Sequence, residues 1–112
     1  MSEKFHQIPS AEIKRQLQNS EVLFIDVRAA YELESGKIQA DRFLNIPHSD
    51  IVHQFMQKDE DFKTIHGIEK PKKNQKIIVY CKSGRRGEMA QAFLVELGYS
   101  DVSNWAGGYH KL

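Results

Sequence analysis

The feature that most limits what this chain can fold into is a pair of short apolar runs that do not alternate, "VLFIDV" from Val22 to Val27 and "KIIVY" from Lys76 to Tyr80. A strand with one face in water alternates apolar with polar residues. An unbroken run asks for cover on both faces, as in a parallel sheet. Weaker runs accompany these two. "KFHQI" reads as a first strand, "FLNI" at Phe43 to Ile46 as one ended by Pro47, and "DVSNW" as the last. Helical patterns lie between them. Ser10 is placed to cap a helix carrying Ile13 and Leu17, with Glu12 in its first turn. "AAYELESG" predicts two turns stopped by Gly36, and Ser49 or Asp50 is placed to cap a helix with Ile51, Val52, Phe55 and Met56. "EMAQAFLVELG" predicts a helix that buries Met89, Ala92, Phe93 and Leu97 and stops at Gly98. The polar stretch "KDEDFKTIHGIEKPKKNQ" reads as a long irregular surface connection. Because parallel neighbours need crossover connections, the expectation is an α/β fold, a mostly parallel sheet of about five short strands with helices on both faces.

At 112 residues, with no break in composition, the whole chain 1–112 is expected to form one domain. A hydrophobic share of 40% with 28% charged residues belongs to a globular chain and excludes a disordered one. The formal net charge of +1 gives no global pull towards nucleic acid or membrane, so any anion must be attracted locally. "EKPKKNQK" lacks interleaved aromatics and reads as a solvated loop. The start has no secretory pattern, and no run approaches the roughly 20 apolar residues of a membrane span. A single cysteine cannot form an internal disulfide, which points to a reducing compartment, the cytoplasm in the simplest case. His6, His48, His53, His66 and His110 show no metal-binding spacing, so neither metal nor cofactor is expected. Trp105 is expected in the core beside the Gly107–Gly108 pair.

The lone cysteine, Cys81, follows the second apolar run directly, at the carboxyl end of its strand, where open parallel sheets form their binding crevices. Asp26 and Arg28 fall on the same edge. After Cys81 comes "KSGRRG", and then the helix. Such a loop can turn successive N–H groups inward as an anion nest, with Gly84 allowing the unusual dihedrals, and the helix adds its positive end. Lys82, Arg85 and Arg86 add positive charge at the rim. Moving a free thiol from about 8.5 to about 6 takes roughly 3.4 kcal/mol, at about 1.4 kcal/mol per unit. One helix terminus supplies about 0.3–1 kcal/mol. Several inward N–H groups and nearby cations are therefore required before Cys81 can serve as a thiolate nucleophile. The plainer reading is a buried cysteine acting as a small hydrophobe. Three neighbouring cations, which then have to be kept solvated, argue against it.

"CKSGRRGEMAQAFLVELGYSDVSNWAGG", from Cys81 to Gly108, resembles the C-terminal half of a rhodanese (thiosulfate sulfurtransferase) domain, in its Cys81, Ser83, Gly84, Arg86, Gly98, Val102, Gly107 and Gly108. "FIDVRAAYELESGKI" is similar to the family's first half, in Asp26, Arg28, Glu32 and Gly36, and Asn45 to Pro47 also fit. The resemblance implies a single-domain rhodanese-like fold in which Cys81 takes the outer sulfur of thiosulfate or a similar donor as a persulfide and passes it to a thiophilic acceptor. It also implies an active-site loop of Lys82, Ser83, Gly84, Arg85 and Arg86, with Asp26 and Arg28 in support. With no second cysteine, the acceptor is expected to be external: a small thiol, cyanide, or a partner protein's cysteine. The chain departs from the pattern in "GKIQADRFLNIP", which lacks the family's His-Ile-Pro-Gly and is two residues longer, and in Gly87, where a serine is common. It also ends soon after Gly108, which implies a short or missing last helix. Two rival readings remain. One is a dedicated persulfide carrier for a protein partner. The other is a cysteine-dependent phosphatase or arsenate reductase, which needs an arginine six positions after the cysteine, where this chain has Gly87.

Overall fold

The computed structural model describes residues 5–109. Five strands, β1 (Gln7–Ile8), β2 (Val22–Asp26), β3 (Phe43–Asn45), β4 (Lys76–Tyr80) and β5 (Val102–Trp105), form one sheet in the order β1-β5-β4-β2-β3. Every pairing in it is parallel. The two unbroken runs are the neighbours β2 and β4, in register from Val22 opposite Lys76 to Asp26 opposite Tyr80. Both interior strands are covered on both faces, as their lack of alternation requires. Leu23, Ile25, Val27, Ile77 and Val79 turn to one side, where Ile51, Phe55, Phe62, Ala90 and Leu94 meet them. Val22, Phe24, Ile78 and Tyr80 turn to the other, against Ile8, Ile13 and Trp105.

The helices α1 (Ser10–Gln16), α2 (Ile51–Phe55), α3 (Asp59–His66) and α4 (Arg85–Glu96) fill the connections, and 3-10 turns occupy Ala30–Ser35 and His48–Asp50. Several local expectations need correction. The helix holding Ile13 starts at Ser10 itself, with Pro9 in the cap position. The Ser10 hydroxyl instead accepts the Trp105 indole N–H at 2.7 Å. Neither Ser49 nor Asp50 caps α2 through its side chain. Only Ile51 and Phe55 of that helix are buried, while Met56 is exposed. The stretch expected to be irregular contains α3, which has three acidic residues in its first turn, a fully buried Phe62 and a left-handed stop at Gly67. In α4 the fully buried residues are Gly87, Ala90, Gln91 and Leu94; of the expected face, Phe93 and Leu97 are partly buried and pack against the core, while Met89 is exposed. The carboxamide of Gln91 explains the difference. Its Nε2 donates to the main-chain oxygens of His6 at 2.7 Å and Val102 at 3.0 Å, so a polar side chain is satisfied on the buried side. The connection of 36–42, where the sequence departs from the pattern it otherwise resembles, has no regular structure but anchors itself through the buried Ile38. The expected short last helix and His110 lie outside the described residues.

Candidate active site

Cys81 continues the alternation of β4. Ile77 and Val79 face the side covered by α4, so Cys81 does too, and its sulfur lies beneath the first turn of that helix. Two main-chain amides point at it: Gly84 N–H donates to Sγ at 3.0 Å and Gly87 N–H at 3.4 Å. Gly84 turns the chain back over the sulfur with a φ of 96°. A Cβ at Gly84 would also collide with the Ala106 main-chain oxygen, so the close approach itself demands glycine. The nest inferred from "KSGRRG" is therefore formed, and its second amide comes from Gly87, a position the sequence marked only as a departure. With Cys81 only 1% exposed, the sulfur sits at the floor of the loop. Lys82, Ser83 and Arg85 are exposed above it.

Arg86 is placed differently from the other loop cations. Its Nη1 donates to Glu32 Oε1 at 2.5 Å and its Nη2 to Glu32 Oε2 at 3.0 Å, a bidentate pair tying the start of α4 to the turn after β2. The Ala29 N–H also donates to Glu32 Oε1, at 3.1 Å. Arg86, followed by that amide, holds the Glu32 carboxyl down at about 2. Glu32 in turn raises the Arg86 guanidinium.

Asp26 and Arg28 stand at the same sheet edge but on the opposite face from the sulfur. Arg28 Nε donates to Asp26 Oδ1 at 3.0 Å, and Nη2 donates to Oδ2 at 2.7 Å. The pair is buried, and Nη2 also reaches the Gly36 main-chain oxygen at 2.8 Å. The Asp26 bond is the main cause of the raised Arg28 guanidinium. Arg28 Cζ lies 4.9 Å from the Tyr109 ring centroid. Tyr80 lies beside Asp26 on this face, with its hydroxyl buried and unbonded; burial first, and then the Asp26 carboxylate, push its phenol up. Arg28 therefore pairs with Asp26, and it is Arg86 that takes the Glu32 carboxylate. The sequence alone leaves open which arginine Glu32 meets.

Sequence reasoning missed two further residues. Asn45 Nδ2 donates to the main-chain oxygens of Asp26 at 2.9 Å and Arg28 at 3.0 Å, fixing the end of β2. Asn104 Nδ2 donates to the Gly84 oxygen at 3.0 Å and to Gln7 Oε1 at 3.1 Å, bracing the cradle from β5. The available signal was a polar side chain inside a short strand, Asn45 in "FLNI" and Asn104 in "DVSNW". Behind the loop, Tyr109 N–H donates to the Cys81 oxygen at 2.9 Å, so the segment after β5 also holds the backbone of Cys81.

A parallel α/β sheet with a thiol held by amides beneath the helix that follows its central strand defines a class of cysteine-cradle proteins whose loop suits anionic sulfur. Within that class the Rhodanese-like domain matches residues 10–112, and the chain belongs to that family. It is 30% identical over 101 residues to human thiosulfate:glutathione sulfurtransferase, covering 89% of this chain and 86% of that protein. It is 31% identical over 101 residues to mouse thiosulfate sulfurtransferase/rhodanese-like domain-containing protein 3, covering 89% of this chain. The chain spans 63% of that mouse protein and 66% of a relative from Schizosaccharomyces pombe. Among solved structures, human single-domain sulfurtransferase TSTD1 superposes with a TM-score of 0.85 at 28% identity, over 94% of this chain and 92% of that one. No helix among the described residues is long and apolar enough to cross a membrane.

Proposed function

We propose that residues 1–112 act as one domain, a thiosulfate sulfurtransferase with Cys81 as its nucleophile. The observation that carries this reading is the pair of amides, Gly84 and Gly87, directed at one sulfur. In the first step the Cys81 thiolate attacks the outer sulfur of thiosulfate. A new S–S bond forms, the donor's S–S bond breaks, and sulfite leaves with the bonding electron pair. In the second step an external thiolate or cyanide attacks the terminal sulfur and Cys81 leaves as thiolate, giving an acceptor persulfide or thiocyanate. The amides stabilise the anionic sulfur in each resting form. Burial of Cys81 supports the order of events. A persulfide extends the side chain by about 2 Å, which carries the transferred atom from the floor of the loop towards the acceptor.

The loop residues divide the work. The exposed Lys82 and Arg85 draw the anionic donor towards the cradle, Ser83 offers a further hydrogen-bond donor, and Gly84 supplies main-chain N–H and shape. Asp26 and Arg28 support the edge and take no part in the chemistry. The bond between Arg86 and Glu32, together with glycine six positions after the cysteine, disfavours a phosphatase. The name of the human relative supports a low-molecular-weight thiol of the glutathione type as acceptor. A lone reactive thiol suits a reducing compartment such as the cytoplasm. Intact mass spectrometry after brief exposure to thiosulfate tests the central claim. One sulfur atom is added, is removed by cyanide, and never appears on Cys81→Ala. A wild-type protein that gains no sulfur ends the proposal.

A further inference from the structure

Of the loop's three cations, Lys82 and Arg85 are exposed, whereas Arg86 is partly buried. Arg86 directly precedes the glycine whose amide bonds the sulfur. Released, it stands one residue from the position at which a phosphate-binding cradle carries its arginine. Its fork is not released: both terminal nitrogens are turned onto Glu32, and the carboxylate is itself held by the Ala29 N–H. An oxyanion reaching for this guanidinium has to displace a bidentate, partly buried carboxylate that is already well fixed.

We propose that Glu32 is a specificity-determining residue, which occupies the Arg86 fork and so keeps the cradle from clamping tetrahedral oxyanions over Cys81. This rests on the sulfurtransferase reading and deepens it. Thiosulfate needs only to present its outer sulfur, and covalent transfer then fixes the useful atom. Sulfite, sulfate and phosphate have no such atom to give. A free guanidinium on this loop would hold them and the donor alike, so the cradle would bind anions more tightly and discriminate less. Glu32 trades affinity for turnover, leaving recruitment to the outer cations and letting the sulfite product escape.

The test compares wild type with Glu32→Gln, using inorganic phosphate as the probe. Phosphate is titrated against nitrogen-15-labelled protein while the amide resonances of Gly84 and Gly87 are followed. Weak shifts are expected in wild type, and saturable shifts in Glu32→Gln, with a Kd lower by about tenfold or more. The double variant Glu32→Gln/Arg86→Gln returns to weak binding if the fork is the clamp. In thiosulfate:cyanide turnover, Glu32→Gln lowers KM and becomes inhibited by phosphate, whereas loss of a merely structural contact raises KM and lowers kcat. Should Glu32→Gln lose the near-UV signal of Trp105, Glu32→Asp carries the same comparison, because its shorter carboxylate reaches the fork less completely and gives intermediate phosphate affinity. Equal phosphate affinity in wild type and variant overturns the inference, as does absence of binding in both. The phosphate titration needs no turnover, so a wild type that takes up no sulfur sinks the sulfurtransferase reading separately.

Discussion

Gly87 and Asn104 form a matched pair at the residue scale. The register that sets Asn104 opposite Val79 places its carboxamide under the first turn of α4. There its Oδ1 is buried without a hydrogen-bond partner, in the space a side chain at 87 would occupy. Any Cβ at 87 collides with that oxygen, and Asn104, bonded to Gly84 and Gln7, is not free to step aside. Gly87→Ala is therefore expected to destabilise the protein by about 1–3 kcal/mol in urea unfolding, the usual cost of overpacking. It also slows sulfur uptake, because the Gly87 amide moves off the sulfur. Gly87→Ala combined with Asn104→Ser recovers much of the stability, a coupling that a double-mutant cycle measures. The buried pair across the edge gives a second residue-level expectation. Arg28→Ala removes the buried carboxylate's cationic partner and leaves it only the main-chain N–H of residue 28, which costs about 3–5 kcal/mol. Arg28→Lys recovers little of it, since an ammonium cannot reproduce the bidentate fork or lie against Tyr109 in the same way. Denaturant midpoints of the two variants check this. Sequence reading reached Cys81, the bend at Gly84 and the edge occupied by Asp26 and Arg28, because those depend on local order. It did not reach Asn104, whose role follows from a pairing between residues far apart in the chain.

At the scale of elements, strands were easier to read than helices, and α3 shows why. "DEDFKTIH" has a single residue that needs full burial, so its amphipathic pattern is too sparse to separate from a polar loop. The signals present were acidic residues at a helix start and Gly67 as a stop, and they went unweighted beside the run of charges. Phe62 is nonetheless fully buried, with its ring 5.3 Å from that of Phe55 in an edge-on contact. Phe62→Ala is expected to cost about 3–5 kcal/mol in chemical denaturation, the range for an aromatic removed from a core. A loss under about 1 kcal/mol would mean that α3 is a surface turn, as its composition suggested. The face of α4 was misread for a different reason. Period alone fixes the spacing of a stripe but not which neighbouring stripe is buried, and nothing local in the sequence shows that two main-chain carbonyls await the polar Gln91.

For the whole molecule, the sheet order places the loop after β4 between the ends of β2 and β5, and each neighbour ties it down. The turn after β2 contributes Glu32 to Arg86, and the segment after β5 contributes the Tyr109 N–H to the Cys81 oxygen. The active loop is thus coupled to global stability through an ion pair whose state depends on pH. Glu32 titrates near 4.5 when unpaired and at about 2 in the folded protein, so folding favours its ionised form. A carboxyl depressed by folding contributes stability that is complete above the unfolded value and is lost as pH falls towards the folded one. The stability difference between wild type and Glu32→Gln should therefore be constant above about pH 5, narrow from about 4.5 downwards, and vanish only below about pH 2. Urea unfolding of both proteins across that range measures the difference directly. A gap that persists unchanged to pH 2 would show that the variant loses packing and that the charge pair contributes nothing to holding the loop.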